Sequence, residues 1–435
     1  MSEKVQTLVS RDLAHIWHPC TQMKDHEQFP LIPIKSGQGV WLEDFEGRRF
    51  IDAISSWWVN IFGHANPYIN QKVTEQLANL EHVIFAGFTH EPIITLSKRL
   101  VELTPEGLTK CFYADNGSTA VEAALKMSFQ AHKNQGSIRP LFVSLTNSYH
   151  GETIGTLSVG DVSLYKEVYH EILIETAQVP VPKDMSEASA REAAEALSLF
   201  LDKEGYRTSA LIVEPLIQCA GLMHMYHPLY LTLAKRLCEK HGVHFIADEI
   251  AVGFGRTGTM FACEQSGITP DFMCLSKGIT GGYLPLSVVM TSDAIYDIFY
   301  DDYFSYKAFL QSHSYTGNPL ACAAANATLD LFERDNVLHV NQEKSALMAT
   351  LLEPFKALPN VKEVRQKGMV AAVELQGYDV KERVGMKVFE YGLDHGVLLR
   401  PLGHVTYFMP PFVISDEEMR QMIGVAYEGI KRLIR

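Results

Sequence analysis

The sequence has little with which to cross a membrane, ligate a metal or staple a small fold. No run of about 18 apolar residues occurs along its 435 residues, so no membrane-spanning helix is expected. Its seven cysteines, at 20, 111, 219, 238, 263, 274 and 322, are odd in number and form no Cys-x-x-Cys pair. Neither a disulfide framework nor a zinc ribbon is predicted, and a reducing cytosol fits this usage. The 17 histidines are scattered, with no His-Glu-x-x-His motif, so they read as surface or hydrogen-bonded core residues and no metal site is expected. Positive charge is in deficit: 38 Lys and Arg against 51 Asp and Glu give a net charge of −13. That balance repels nucleic acid and anionic membrane surfaces and leaves small molecules as the expected partners. The start of the chain, Met1 to Gln6, carries no apolar signal segment, which predicts a soluble cytoplasmic protein. No internal repeat or low-complexity tract interrupts the chain, so its parts are expected to pack against each other.

With 47% hydrophobic and 20% charged residues, the chain reads as an ordinary folded protein with a large core. Short runs rich in Val, Ile, Leu and Phe predict buried strands at Leu141 to Leu145, Ala210 to Glu214, Val243 to Asp248, Phe272 to Ser276 and Leu286 to Met290. Helical patterns lie between them, at Ser118 to Lys133, Glu187 to Leu201 and Tyr230 to His241. Strands and helices therefore alternate as in a doubly wound α/β sheet. Before residue 70 the chain is rich in turns and aromatics, and after about residue 335 a new series begins, with Val370 to Leu375 as a clear strand. The expected division is 1–69 and 335–435 as a smaller domain made from both ends, and 70–334 as the large α/β domain.

In open α/β sheets functional residues sit just past the carboxyl ends of strands. Asp248 and Glu249 follow one apolar strand, although such a pair alone is more often a cap or a solvated turn. Lys277 stands directly after another, where an ammonium is costly to desolvate and its pKa is easily moved. A lone lysine at a strand end is usually just exposed. Asp115-Asn116-Gly117-Ser118-Thr119 reads as a turn opening a helix, whose free amides and dipole suit a phosphate. A Ser/Thr cap with Glu122 closing a capping box explains it equally well. Together these three features are the parts needed to hold pyridoxal phosphate: a phosphate cradle, an acid for the pyridinium nitrogen and a lysine for the covalent bond. The run Gly253-Phe254-Gly255-Arg256-Thr257-Gly258 satisfies the dinucleotide pattern, but no helical pattern follows it promptly and no acidic residue stands where the next strand should place one.

Ala247-Asp248-Glu249-Ile250 with the glycine run at 253–258, Ser276-Lys277-Gly278, and Tyr315-Thr316-Gly317-Asn318-Pro319-Leu320 resemble the class III aminotransferases, pyridoxal phosphate enzymes of fold-type I. The likeness runs over essentially the whole chain. It implies an α/β fold with a large, mostly parallel sheet domain and a smaller α+β domain. Within the family, His15-Ile16-Trp17-His18-Pro19, Ser55-Ser56-Trp57-Trp58, and Arg400-Pro401-Leu402-Gly403 followed by Tyr407-Phe408-Met409-Pro410-Pro411 are similar to the members that aminate 8-amino-7-oxononanoate in biotin biosynthesis. S-adenosylmethionine is the donor that this likeness implies.

By position, the resemblance gives Lys277 as the lysine bonded to the cofactor, Asp248 as the partner of its ring nitrogen and Tyr149 as the aromatic against its ring. Gly117 and Ser118 match the phosphate turn. Ser314 matches a hydroxyl reaching the phosphate from the neighbouring subunit, which implies a homodimer with shared sites. Arg400 matches the arginine that receives the substrate carboxylate, with Trp57 and Trp58 as channel walls and Cys20 and Gly403 beside them. Without the family, both tryptophans would read as core aromatics. Two positions depart from the pattern: Cys20 stands where many members have tyrosine, which bears on donor recognition, and Glu152 where aspartate is common. A transaminase for ω-amino acids such as acetylornithine, 4-aminobutyrate or β-alanine is the alternative, against which the two tryptophans weigh. A nicotinamide oxidoreductase using 253–258 is the reading from another class.

Overall fold

The computed structural model describes residues 2–434. Its centre is a seven-stranded sheet in the order Lys110–Ala114, Ser287–Thr291, Phe272–Leu275, His244–Asp248, Thr208–Val213, Leu141–Leu145, Thr176–Val179. All neighbours are parallel except Ser287–Thr291, which runs antiparallel to both strands beside it. A parallel return needs a helical crossover, and the connection 276–286 holds only the short 3-10 turn Lys277–Thr280. That strand was expected from its apolar run, but its direction is fixed by the connection.

The five predicted strands lie within one or two residues of their expected bounds, and their burial on both faces follows from strand alternation. Phe245 and Ala247 pack into one core cluster while Ile246 packs into another on the opposite face. The second face is covered by the helix Gly117–Asn134, through Ala120, Val121, Ala123 and Ala124. The helix Leu229–His241 ends at Gly242, whose φ of +61° lies in the left-handed region that favours glycine.

The chain ends share structure. A four-stranded sheet takes Ile34–Gln38, Trp41–Asp44 and Arg49–Asp52 from the start and Val397–Leu398, parallel to Arg49–Asp52, from near the end. A three-stranded antiparallel sheet follows from Val361–Lys367, Val370–Leu375 and Val405–Phe408. The helix Asp416–Lys431 closes the chain, capped by Ser415 and Glu418 in a reciprocal box. The two ends meet beside the large sheet, where the Met409 amide donates to the Ala53 carbonyl at 2.8 Å and the Phe412 amide to that of Ile61 at 2.7 Å. Among the described residues no helix is long and apolar enough to cross a membrane, and all seven cysteines are free thiols.

Candidate active site

A cavity of about 450 Å³ opens at one edge of the large sheet. Five strand ends reach it in space although the chain separates them widely: Asp115 to Ser118, Tyr149 to Gly151, Glu214, Asp248, and Ser276 with Lys277. The antiparallel strand contributes its beginning, Pro285 and Leu286, at this same edge. The carboxyl-edge rule thus predicts the location.

Lys277 is half-buried at the cavity wall, with a left-handed φ of +48°. Among the described residues its ammonium makes no ion pair; its neighbour is the indole of Trp58, 4.4 Å from Nζ to the ring centre. Burial pulls its pKa down, and Cys219, Asp248 and Glu214 draw it part of the way back. An amine in this setting sheds its proton more readily than a surface lysine. Across the cavity the His150 Nδ1–H donates to Asp248 Oδ2 at 2.7 Å, and the Ile250 amide donates to Oδ1 at 3.1 Å. The other ring nitrogen of His150 is buried without a partner. Glu214 accepts from the amides of Tyr149 and Cys219 at 2.9 and 3.0 Å, and burial pushes its carboxyl up to about 7.

Glu249, one residue after Asp248, does not line the cavity. Its carboxylate is buried and accepts from the amides of Ala262 and Cys263 at 2.9 and 2.7 Å. The acidic pair therefore divides: one member faces the cavity and the other fastens the turn. Burial pushes the Glu249 carboxyl from 4.5 up to about 7. Because its folded value is raised, its contribution is fully present below about pH 4.5 and is lost as pH rises through 7, at about 3 kcal/mol. Glu249→Gln cannot ionise. Urea unfolding is expected to show wild type losing about 3 kcal/mol relative to this variant between pH 4.5 and 7.5, and a pH-independent difference would refute the assignment.

At the helix start, Asn116 is the cap, not Ser118. Its side chain accepts from the Thr119 amide at 3.2 Å, and the Thr119 hydroxyl accepts from the Asn116 amide at 3.0 Å. Glu122 closes no box; it accepts from the Thr153 hydroxyl at 2.6 Å and the Gly155 amide at 2.9 Å. The Gly117 and Ser118 amides, on residues that line the cavity, are left without a protein acceptor among the described residues. The Ser118 hydroxyl lies against Gly151, where a Cβ would sit 2.2 Å from it, and Gly151 has a φ of +125°. Only glycine leaves this cradle open.

Tyr149 stands at the cavity wall, with its hydroxyl donating to Glu152 at 3.0 Å. Of the two tryptophans, Trp58 is 4% exposed and lines the cavity, its indole N–H donating to the Tyr407 hydroxyl at 3.1 Å, while Trp57 is 40% exposed and lies outside. Ser55 to Trp58 all have positive φ, from 47° to 76°, a strained run for residues with side chains. Three contacts hold it: Ser55 Oγ donates to the Met409 carbonyl and Ser56 Oγ to Asp52, each at 2.7 Å, together with the Trp58 bond. Arg256, 1% exposed, supports this run from behind by donating to the Pro410 carbonyl at 2.7 Å. No α-helix follows the glycine run at 253–258 among the described residues; residues 250–261 are turns and bends, and only the short 3-10 turn Ala262–Ser266 comes next.

Arg400 lies over the Trp57 ring at 4.9 Å, and its Nη2 donates to the Cys20 carbonyl at 3.5 Å. The Cys20 thiol is 3.9 Å from the hydroxyl of Tyr165, whose ring meets that of Tyr149 edge-on at 5.4 Å. Arg400, Cys20, Trp57 and Gly403 are thus outside the cavity proper, and the first three form its outer rim. Ser314 is exposed and does not reach the cavity of its own chain. Sequence reasoning missed His150 as the partner of Asp248, as well as Glu214, Arg256 and Tyr165.

The family model for aminotransferase class III matches residues 21–428. The chain belongs to the class III aminotransferases. An adenosylmethionine-8-amino-7-oxononanoate aminotransferase of Helicobacter pylori is 51% identical over 434 residues, 98% of each chain. The crystal structure of the enzyme of that name from Methanocaldococcus jannaschii superposes with a TM-score of 0.94 at 35% identity, covering 98% of this chain and 99% of that one. An omega transaminase from Pseudomonas jessenii in complex with PMP gives 0.93 at 25% identity, covering 98% and 99%. Class III aminotransferases work with pyridoxal phosphate, and the residues present fit that group. A half-buried lysine with no ion-pair partner among the described residues lines the cavity with the Asp248 carboxylate, and the glycine cradle with its two amides lacking a protein acceptor among those residues suits a phosphate.

Proposed function

We propose that this aminotransferase transfers an amino group to 8-amino-7-oxononanoate, giving 7,8-diaminononanoate for biotin biosynthesis, with S-adenosylmethionine as donor. The observation that carries the reading is the line from Lys277 past Trp58 and Trp57 to Arg400. It offers a reactive end, an apolar wall and a cation, matching a ketone, a methylene chain and a terminal carboxylate. Each buried methylene contributes about 0.8 kcal/mol, so the walls supply much of the affinity and the arginine fixes the register. A chain of net charge −13 and an aromatic rim suit a sulfonium donor.

Pyridoxal phosphate, when bound, supplies the electron sink for charge left on the substrate carbon. Lys277 Nζ would tether it and, as a free amine, would move the proton as base and then acid. Asp248 would favour a positive charge on the ring nitrogen, with His150 orienting the carboxylate. Gly117 and Ser118 would hold the phosphate, and Tyr149 would lie against the ring. Donor and acceptor use one site in turn, so ping-pong kinetics are expected. Cys20 flanks the substrate carboxylate end, its carbonyl accepting from Arg400, and Gly403 lies three residues beyond Arg400 in the chain.

The reading extends to a cytoplasmic homodimer in which Ser314 serves the neighbouring subunit. Its support is the apolar surface around that residue: Tyr303, Phe304 and Leu310 are each at least 80% exposed. It also takes 1–69 and 335–435 as one small domain beside 70–334, for which the shared four-stranded sheet speaks.

The test is an assay of the pure enzyme with 8-amino-7-oxononanoate and a panel of donors; preference for short ω-amino acids with no turnover of the oxo acid would overturn it. Arg400→Ala is expected to raise the KM for the oxo acid by about 10-fold or more while a donor alone still converts the bound cofactor. Single-turnover spectra with each substrate separately check this, and equal damage to both halves would place the donor carboxylate on Arg400 as well.

A further inference from the structure

Tyr165 lies on the short helix Ser163–Lys166, far in sequence from every other residue at the rim. It is the point at which those residues meet. Its hydroxyl faces the Cys20 thiol at 3.9 Å, its ring packs edge-on against Tyr149 at 5.4 Å, and it lies within electrostatic reach of Arg400 and Glu152. Its helix is pinned in place, because Lys166 Nζ donates to the Ser158 and Gly160 carbonyls at 3.0 and 2.7 Å. A half-buried phenol on a fixed support is a preorganised group.

The hydrogen-bond direction decides what this phenol can do. The Cys20 thiol donates to the Tyr165 oxygen, so the phenol O–H is left to donate elsewhere. Burial first, and then Cys20, raise its pKa to about 12, so the donor proton is retained at neutral pH. Glu152 is the nearby carboxylate, and it already accepts from Tyr149. A donor O–H beside a guanidinium selects an anion rather than an ammonium group.

We propose that Tyr165 is a specificity-determining residue that receives the distal carboxylate of the oxo-acid substrate together with Arg400, its hydroxyl donating the hydrogen bond. The inference rests on the 8-amino-7-oxononanoate reading above. It assigns Cys20 a supporting part: a residue that holds the phenol by donating to it, while its own carbonyl holds Arg400.

The test uses the holoenzyme and Tyr165→Phe, which keeps the ring and its packing on Tyr149. Steady-state constants are measured with 8-amino-7-oxononanoate and with 2-aminononan-3-one, the same amino ketone with a methyl group in place of its carboxylate; the donor half-reaction is followed by its spectrum. Loss of one hydrogen bond to a charged group is expected to raise the KM for the oxo acid about 10-fold. The kcat should stay within about twofold, and the carboxylate-free ketone and the donor half-reaction should be unchanged. A merely structural role would damage all three. Equal effects on both ketones, an unchanged KM for the oxo acid, or an effect confined to the donor would each overturn the proposal. If wild-type enzyme itself does not turn over the oxo acid, the substrate reading fails first and takes this inference with it, which separates the two failures.

Discussion

Lys277→Ala is expected to abolish turnover and leave a folded chain. The stability half of this result follows from the contacts that Lys277 makes. Its ammonium has no ion-pair partner among the described residues; it lies 4.4 Å from the centre of the Trp58 ring and feels Asp248 and Glu214 only at a distance. Removing it strands no buried carboxylate, and it relieves a desolvation cost that already pulls the lysine pKa down. Alanine and lysine meet the same backbone strain at φ +48°, so the unfolding midpoint should move little.

The activity half follows from the amine alone. Among the described residues no other lysine lines the cavity, so none of them replaces the tether or the proton carrier. Positioned acid–base groups contribute up to about 10⁴-fold, which corresponds to roughly 5.5 kcal/mol of barrier. The expected loss in kcat is at least of that order. Steady-state assays at saturating cofactor check the rate, and circular dichroism melts check the fold. Activity within tenfold of wild type would end the proposed role of Lys277.

Local patterns carried the strands and helices because the forces that make them are local. Apolar runs bounded by turn residues placed Leu141–Leu145 and Val370–Leu375 to the residue, and the continuity of those runs placed their burial. Direction and capping were less legible. The antiparallel course of Ser287–Thr291 depends on what lies between strands, and the cap fell on Asn116 because its side chain, two residues earlier than Ser118, reaches the Thr119 amide.

Lys277, Asp248, Tyr149, Gly117 and Ser118 are brought to one cavity; all but Tyr149 were visible as strand-end or turn residues, and Tyr149 came only from the family resemblance. Tyr165, Arg256 and His150 were not, since their partners are distant in sequence: Cys20 for the first, Pro410 for the second, Asp248 for the third. No periodicity reports such pairs. The left-handed run Ser55 to Trp58 was illegible for the opposite reason, because propensity argues against it and contacts distant in sequence, among them those to Met409 and Tyr407, help to sustain it.

Asp248→Asn should leave the chain folded and slow transamination by about three decades. A carboxylate and a cation in contact inside a protein attract by roughly 4 kcal/mol at an effective dielectric near 20, and each 1.36 kcal/mol is a factor of ten. An amide offers no such attraction, so the ring nitrogen is no longer held positive and the proton on the substrate carbon is abstracted against a higher barrier. The hydrogen bonds add a second effect. Asp248 accepts from both His150 Nδ1 and the Ile250 amide, whereas asparagine has one accepting oxygen and one donating nitrogen. Either the Ile250 amide loses its acceptor, or His150 moves its proton to the buried Nε2, which has no partner. Each alternative costs about 1–3 kcal/mol of stability. A His150→Gln variant isolates this smaller effect, since it keeps the carboxylate and changes only its neighbour. The expected order is therefore wild type, His150→Gln within about 10-fold, and Asp248→Asn about 10³-fold down, in single-turnover rates with the donor alone. A His150→Gln loss as large as that of Asp248→Asn would shift the decisive role from the charge to the histidine that orients it.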